Sequence, residues 1–413
     1  MAGRCQAGRA RGTGVAAPVR LLALAPTGFF ADYGCHVRIR GHLAALQARG
    51  HSIRLVTYPS GRDVEGLRTL RPALWPRGST LPVGSSRRKL LLDMLLIPTA
   101  VRAARHFPGG KPQLIHAFLH EGALLGAALA RLLHIPLVFD FQGSLTAEML
   151  DHRFIRPASP WLPPLQRLEQ AIDHQPNAIF ASSHHAAAHL RQAGVPAARI
   201  HTLPDSVDPG RFRPRAELDP ARLSARRAAL TLPADRPVVV YLGLLAPYQG
   251  TDLLLQAWQT LSRQPRPPHL LLMGFPDVTY YTERARQLGV AQHITFTGAV
   301  AYEDAPFYLA LGDAAVAPKL SATEGSGKLL PYMAAALPVA AFDTPVQREY
   351  LGDWGFYAAP GDAAGLALAI TCALTEHDRA RQAAHALRAR VVSTYTWQHA
   401  AQALEAVYAT LLA

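Results

Sequence analysis

From residue 19 onward the chain repeats one pattern: a short apolar run, a turn, then apolar positions at helical spacing. Residues 19–25 read as a buried strand. A loop through Pro26, Gly28 and Gly34 leads into a helix on which Val37, Leu43 and Leu46 share a face, and Gly50 closes it as a glycine past the C-terminus should. Residues 52–57, 114–118, 137–141 and 178–182 are further strand candidates. Uninterrupted apolar strands alternating with helices predict a parallel sheet covered on both faces, since a strand buried on both sides shows no polar alternation. Pro204, Asp205, Ser206, Val207, Asp208 and Pro209 form a turn-rich break, after which a second series begins. Its strands are expected at 238–242, 270–273, 294–296, 314–317 and 339–342. The fold class expected is therefore α/β, with two doubly wound Rossmann-like domains facing a central cleft. The division expected is residues 18–205, residues 206–395, and a C-terminal helix over 396–413. On that helix Trp397, Leu404, Tyr408 and Leu411 share an apolar face that must dock on something, and crossing back over the domain junction supplies the partner.

Composition agrees with two buried cores: 413 residues, 49% of them hydrophobic. The first 17 residues are basic and small, with Arg4, Arg9 and Arg11, and carry no apolar stretch like a signal peptide's; a disordered leader is expected there. The longest aliphatic run, residues 90–97, is far short of the roughly 20 residues that span a bilayer. Three separated cysteines (Cys5, Cys35 and Cys372) point to a reducing compartment, the cytoplasm. The net charge of +13 calls for an anionic partner or a merely solubilising arginine surface. No basic stripe interleaved with aromatics is present, so nucleic acid is not the expected partner. Arg87, Arg88 and Lys89 precede the aliphatic run, which fits an interfacial helix on the inner, anionic face of the cell membrane, or else a core helix with a basic first turn. Pro98 is expected to end that helix.

Candidate chemistry clusters at strand ends. The loop carrying Gly28 and Gly34 suits a phosphate near a helix N-terminus, or is a plain turn; it is not a dinucleotide fingerprint. His116, His120 and Glu121 gather at the C-terminal end of the strand at 114–118, and His120 is placed to bond a sugar hydroxyl or to be structural. No paired cysteines or metalloprotease motif accompanies them, so no metal and no cofactor are expected. Asp140 and Gln142 end the strand at 137–141, where carboxylate and amide groups can pair with acceptor hydroxyls or cap the next helix. The richest stretch runs from Lys319 through Glu324, Gly325, Ser326 and Gly327 to Lys328, between a strand and a helix expected at 329–336. Such a glycine turn opening a helix, with a lysine in it, is well made for a diphosphate.

In this order the pieces resemble glycosyltransferase family 4, the retaining, metal-independent enzymes of the GT-B fold. The resemblance runs over roughly residues 19–413. It rests on Gly34 with His36, on His120, and on Pro204-Asp205-Ser206-Val207-Asp208. Gly243, Glu324-Gly325-Ser326-Gly327, Met333-Ala334-Ala335 and Pro338-Val339 complete it. It implies a nucleotide-sugar donor, UDP- or GDP-linked, on the C-terminal half, with Gly34, Gly243, Lys319 and residues 325–328 around its diphosphate. Glu324 would contact the donor sugar and His120 would orient it. A carbohydrate or lipid-linked acceptor would lie on the N-terminal half, in surface polysaccharide or glycolipid synthesis. The departing phosphate would take the acceptor's proton, so no protein nucleophile is needed.

Three positions depart from the family. Its phosphate-gripping Arg and Lys are Leu244 and Gln249 here, and its ribose-binding glutamate is Pro331, with Tyr332 beside it. Lys328 is the expected substitute for the lost cations. Pro331 requires that its helix begin late, near Leu329, or bend. The alternatives are a catalytically silent GT-B scaffold, which those three positions would explain, and a nucleotide-sugar epimerase or hydrolase of the same fold.

Overall fold

Seven parallel strands build the first sheet: Arg20–Ala25 (β1), Ser52–Thr57 (β2), Thr69–Leu70 (β3), Leu114–Phe118 (β4), Leu137–Phe141 (β5), Ala178–Ala181 (β6) and Ile200–Thr202 (β7). Their order is β3-β2-β1-β4-β5-β6-β7. Six more build the second: Val238–Leu242 (β8), His269–Met273 (β9), Ile294–Gly298 (β10), Ala314–Ala317 (β11), Val339–Phe342 (β12) and Phe356–Ala358 (β13), ordered β10-β9-β8-β11-β12-β13. This computed structural model describes residues 17–73, 87–321 and 324–413. Most of the expected leader, residues 1–16, lies outside the described residues.

The ten strands expected from sequence all form, with ends moved by a residue or two. The three not anticipated, β3, β7 and β13, are edge strands of two or three residues. An edge strand this short leaves no periodic signal to read.

Each sheet is buried on both faces. The helices Gly34–Ala48 and Trp397–Leu412 pack on one face of the first sheet, through Ile39, Leu43, Leu404 and Tyr408. On its other face lie Arg87–Arg105, Leu119–Leu133, Leu162–Asp173 and His184–Gln192. The C-terminal helix thus crosses back from the second sheet. Thr396 caps its start, and Glu405 is held by Arg49 at 2.6 Å and by His51 at 3.0 Å. The second sheet is sandwiched in the same way, with Thr251–Leu261 and Ala363–Thr375 on one face and Leu329–Ala334 and His377–Thr394 on the other.

Two expectations about prolines divide. Leu329–Ala334 does begin at Leu329, so Pro331 falls in the first turn, where its missing N–H costs nothing. Pro98, by contrast, does not end its helix, which runs unbroken from Arg87 to Arg105. The helix buries Leu92, Leu96, Ala100 and Ala103 against the sheet, while Pro98 lies on the exposed side. Water can satisfy the freed carbonyl there, and burial of the opposite face outweighs the lost bond. No helix among the described residues is long and apolar enough to cross a membrane.

Candidate active site

Parallel pairing throughout brings the C-terminal ends of the strands in each sheet to one edge, and the two edges face each other across a cleft. Thr27, His120, Gln142 and Ser182 follow β1, β4, β5 and β6 into it. Gly243, Gly274 and Lys319 follow β8, β9 and β11 from the other side. Across it, Arg40 pairs with Glu303 at 2.7 Å and the Tyr302 N–H donates to Asp32 at 2.9 Å.

On the second sheet's side the turn after β11 supplies most of the polar lining. Lys319 is nearly buried; its ammonium pairs with Glu324 at 2.8 Å and donates to the Gly325 carbonyl at 2.6 Å. It is therefore spent on holding the turn and Glu324. Glu324 reaches across to the first sheet, where a Cβ on Gly143 would lie 3.2 Å from its Cγ. Lys328 lines the cleft and its hydrogen bonds go to neutral groups: its Nζ donates to Gln249 Oε1 at 2.7 Å and to the Tyr241 hydroxyl at 3.2 Å, over the Tyr241 ring, while Glu324 and Lys319 act on it from farther off. Gly243 leaves room for it, since a Cβ there would sit 2.8 Å from that Nζ. The Ser326 hydroxyl is buried without a partner. Cβ atoms on Gly325 and Gly327 would lie 2.8 and 3.0 Å from an oxygen of Asp205, the linker residue that covers the turn. Gly34 opens its helix onto the cleft with no heavy atom within 4 Å of where its Cβ would be. Leu244, Gln249 and Pro331 all line the cleft, whereas Tyr332 is turned into the core with its hydroxyl on the Leu242 backbone.

On the first sheet's side Gln142 lines the cleft and its amide nitrogen is buried without a partner. Asp140 does not reach it, contrary to expectation. Its carboxylate is fully buried, accepting from Arg38 Nε at 2.9 Å and lying 3.2 Å from His42 Nδ1. Asp140 lies within β5, facing Arg38 and His42 of the helix Gly34–Ala48, whereas Gln142 lies past the strand's end. Arg38 also pairs with Asp205 at 3.1 Å and donates to the Leu203 carbonyl at 2.8 Å, tying helix, strand and linker together. His116 is likewise internal, bonded to the Tyr408 hydroxyl at 2.6 Å. His120 lines the cleft, but its Nε2 faces inward, 3.4 Å from Asp173 and 3.7 Å from Glu169.

Ionisation follows from these surroundings. Burial pushes the Glu324 carboxyl up, and Lys319 more than offsets that, holding it below the usual range. Burial, with Lys319 adding to it, pushes Lys328 well below an ordinary lysine. Glu148, a third open to the cleft, is raised to about 7 by desolvation and then by Glu324. Among the described residues one group, His120, Glu169 and Asp173, brings potential metal ligands together. Both Glu169 oxygens already accept hydrogen bonds from residues 145 and 146. The same three side chains stand at ion-pair distance, with His120 Nε2 facing both carboxylates.

Sequence reasoning missed several lining residues. Glu148 and His152 follow β5 on one short helix, and Tyr248 packs on the His152 ring across the cleft at 4.8 Å. Lys89, expected on a membrane surface, lines the cleft instead. Of its basic neighbours, Arg88 is exposed and the Arg87 side chain is outside the described residues. The apolar run following them nonetheless leaves Leu90, Leu91, Met94 and Ile97 exposed.

With that geometry established, comparison with known proteins is direct. Residues 33–205 match the family model described as glycosyl transferase 4-like domain, and residues 236–376 match that of glycosyl transferases group 1. A GDP-mannose-dependent alpha-(1-6)-phosphatidylinositol monomannoside mannosyltransferase of Mycobacterium tuberculosis is 32% identical over 49% of this chain and 54% of its own. The chain thus spans about half the length of that relative. Alpha-D-kanosaminyltransferase of Streptomyces kanamyceticus is 26% identical over 65% of this chain and 64% of its own. Among solved structures, sucrose-phosphate synthase from Thermosynechococcus elongatus superposes with a TM-score of 0.79 at 22% identity, covering 95% of this chain and 99% of that one.

Proposed function

The chain belongs to the family 4 type of GT-B glycosyltransferases, and on that premise we propose that it transfers a sugar, with retention, from a nucleotide diphosphate-sugar to a hydroxyl acceptor. The observation that carries this reading is Lys328: a half-buried lysine at a glycine turn, bonded only to neutral groups, beside an unpartnered serine hydroxyl. Enclosing a charge without a counter-ion is costly unless an anion arrives to meet it. A diphosphate seated on residues 325–328 would do so, with Gly243 and Gly34 allowing close approach. Lys328 would then replace the cations absent at Leu244 and Gln249. Glu324, oriented by Lys319, would bind hydroxyls of the donor sugar, and the leaving diphosphate would accept the acceptor's proton.

In this reading residues 206–395 carry the donor and residues 18–205 the acceptor, which meets Gln142, Glu148 and Lys89. Asp140 acts at one remove, through Arg38. A GDP-mannose-dependent relative supports a GDP- or UDP-linked donor. Its glycolipid substrate supports a lipid-linked or carbohydrate acceptor of the cell envelope. Arg88 with the exposed Leu90, Leu91, Met94 and Ile97 would then rest on an anionic membrane. Lack of flotation with anionic vesicles at low salt would remove that contact.

The direct test is a thermal-shift screen against UDP, GDP and their sugar conjugates without added metal, since a ligand of the native state raises the melting temperature. A shift that Glu324→Ala or Lys328→Ala abolishes is expected. Anomeric NMR of the product then reports retention. No shift at millimolar nucleotide would favour the silent scaffold, to which Leu244, Gln249 and Pro331 already lend support. Release of free sugar without acceptor would identify a hydrolase.

A further inference from the structure

The cluster behind His120 carries a consequence for the cleft. We infer that Asp173, with Glu169, holds His120 as a doubly protonated imidazolium, so that it offers the cleft a fixed positive charge and a hydrogen-bond donor and cannot serve there as a base.

The geometry begins with Leu119, whose positive φ of 62° swings the chain as it leaves β4 for its helix. The His120 ring then lies between Phe139 and Phe141, at 5.2 and 5.4 Å and nearly perpendicular to both. Those walls hold it with Nε2 directed at the helix Leu162–Asp173, where Asp173 Oδ1 waits at 3.4 Å and Glu169 Oε1 at 3.7 Å. The two carboxylates stand one turn apart on the same helix face, exposed by only 2% and 5%. Glu169 is anchored by N–H groups of Leu145 at 2.8 Å and Thr146 at 3.1 Å, and by the Thr146 hydroxyl at 2.6 Å. Asp173 Oδ1 and His120 Nε2 are both buried without a hydrogen-bond partner, and they face each other at 3.4 Å.

Charge balance then decides the protonation state. The ionisable groups that act on the ring most are acidic: Asp173 and Glu169 from one helix, Glu121 from its own, with Glu148 from the helix after β5 beside them. Lys89, which lines the same cleft, acts on Glu148. A neutral ring would leave two buried carboxylates without a cation, which is far costlier than one retained proton. Burial by itself would deprotonate His120; Asp173 and then Glu169 outweigh it, and the ring is held above its ordinary value. With Nε2–H directed to the carboxylates, the second N–H is the one left for the cleft that His120 lines.

This deepens the transferase reading and rests on it for one point only, the use made of the charge. The cleft lacks cations at Leu244 and Gln249; with its charge balanced by the two carboxylates, the ring would contribute a permanent N–H donor to an oxygen of the bound donor. Asp173 and Glu169 are positioning residues in that scheme.

The test is nitrogen-15 NMR of histidine-labelled full-length protein, with His120 assigned by its loss in His120→Gln. Expected is a doubly protonated ring at pH 7.5, and a titration moved down by at least about one unit, tenfold in the proton binding constant, in Asp173→Asn. Asp173→Glu should restore most of it. A neutral His120 at pH 7.5 in the unaltered protein, or a titration unmoved by Asp173→Asn in a folded variant, overturns the inference. So does a stoichiometric metal found by elemental analysis, which would take the proton's place. None of these readings uses activity. If the charge is found as expected while no donor supports transfer, the transferase reading fails and the cluster stands. If transfer occurs, Asp173→Asn should lower kcat more than KM and bring the high-pH fall-off of kcat to lower pH.

Discussion

Arg38 and Lys328 are two basic side chains lining the same cleft, and their surroundings are opposites. Arg38, 2% exposed, meets two carboxylates and a backbone carbonyl, so its donors are spent within the fold. Lys328 meets an amide oxygen, a phenol and an aromatic face, and no ion pair to it exists among the described residues. The first arrangement is what a buried charge needs in order to hold structure together. The second, on the proposed reading, is what remains when the counter-ion is a ligand. Residue type alone would rank the two alike; the company each keeps separates a girder from a binding group.

Stability should separate them most sharply. Arg38→Met strands the buried Asp140 carboxylate, and urea unfolding is expected to show a loss of about 3–5 kcal/mol. Lys328→Met removes an unfavourably placed charge and should leave stability unchanged or raised. Equal losses in both would erase the distinction. For ligand binding the ranking reverses: by calorimetry Lys328→Met should weaken nucleoside diphosphate binding by about 10²–10³-fold, on the scale of losing one electrostatic donor. Arg38 variants that stay folded should lose far less.

Acid should cost the first sheet's side more, although burial also lowers His269 on β9 of the second to about 4. Burial lowers His36 and His116 to about 3 from an ordinary 6.5. Between those values the unfolded chain binds protons that the folded one refuses, so stability falls as the pH drops below about 6.5. The expected slope is about 1.4 kcal/mol per pH unit for each ring, readable from urea midpoints at pH 6 and pH 4. Lys328 gives the second sheet a gentler dependence. Its proton affinity is depressed in the empty cleft and restored by a diphosphate, so binding takes up a proton and tightens as pH falls, at most about tenfold per unit. Calorimetry in buffers of different ionisation enthalpy would report the uptake. Smallest of all is the partly exposed Arg40–Glu303 pair across the cleft, where Arg40→Ala should cost at most about 1 kcal/mol.

Much of this was legible in the chain. Ten strands, the linker, the glycine turn at 325–327 with its lysine, and the docking face of the last helix follow from runs of apolar residues and from turn chemistry. Local sequence encodes these because burial on both faces of a parallel sheet demands continuous apolar strands, and a turn depends on the few residues that make it. The direction of side chains within an element was not legible. Asp140 and Gln142 stand two apart on either side of a strand end; only the fold shows that one is consumed by Arg38 and the other left for the cleft. The helix Gly34–Ala48 buries His36, Arg38 and His42 beside Ile39 and Leu43, which hydrophobic spacing cannot anticipate: Arg38 and His42 are matched by Asp140, distant in the chain, and His36 by Thr27 and Ala31 of the preceding loop. Lys89 read as a surface base and lines the cleft, and Pro98 read as a helix end and is carried through. Asp173 bore no mark at all until the fold set it against His120. Apolar periodicity is a property of neighbours along the chain, so the sequence determines it. Charge pairing is a property of neighbours in space, and the tertiary structure alone decides it.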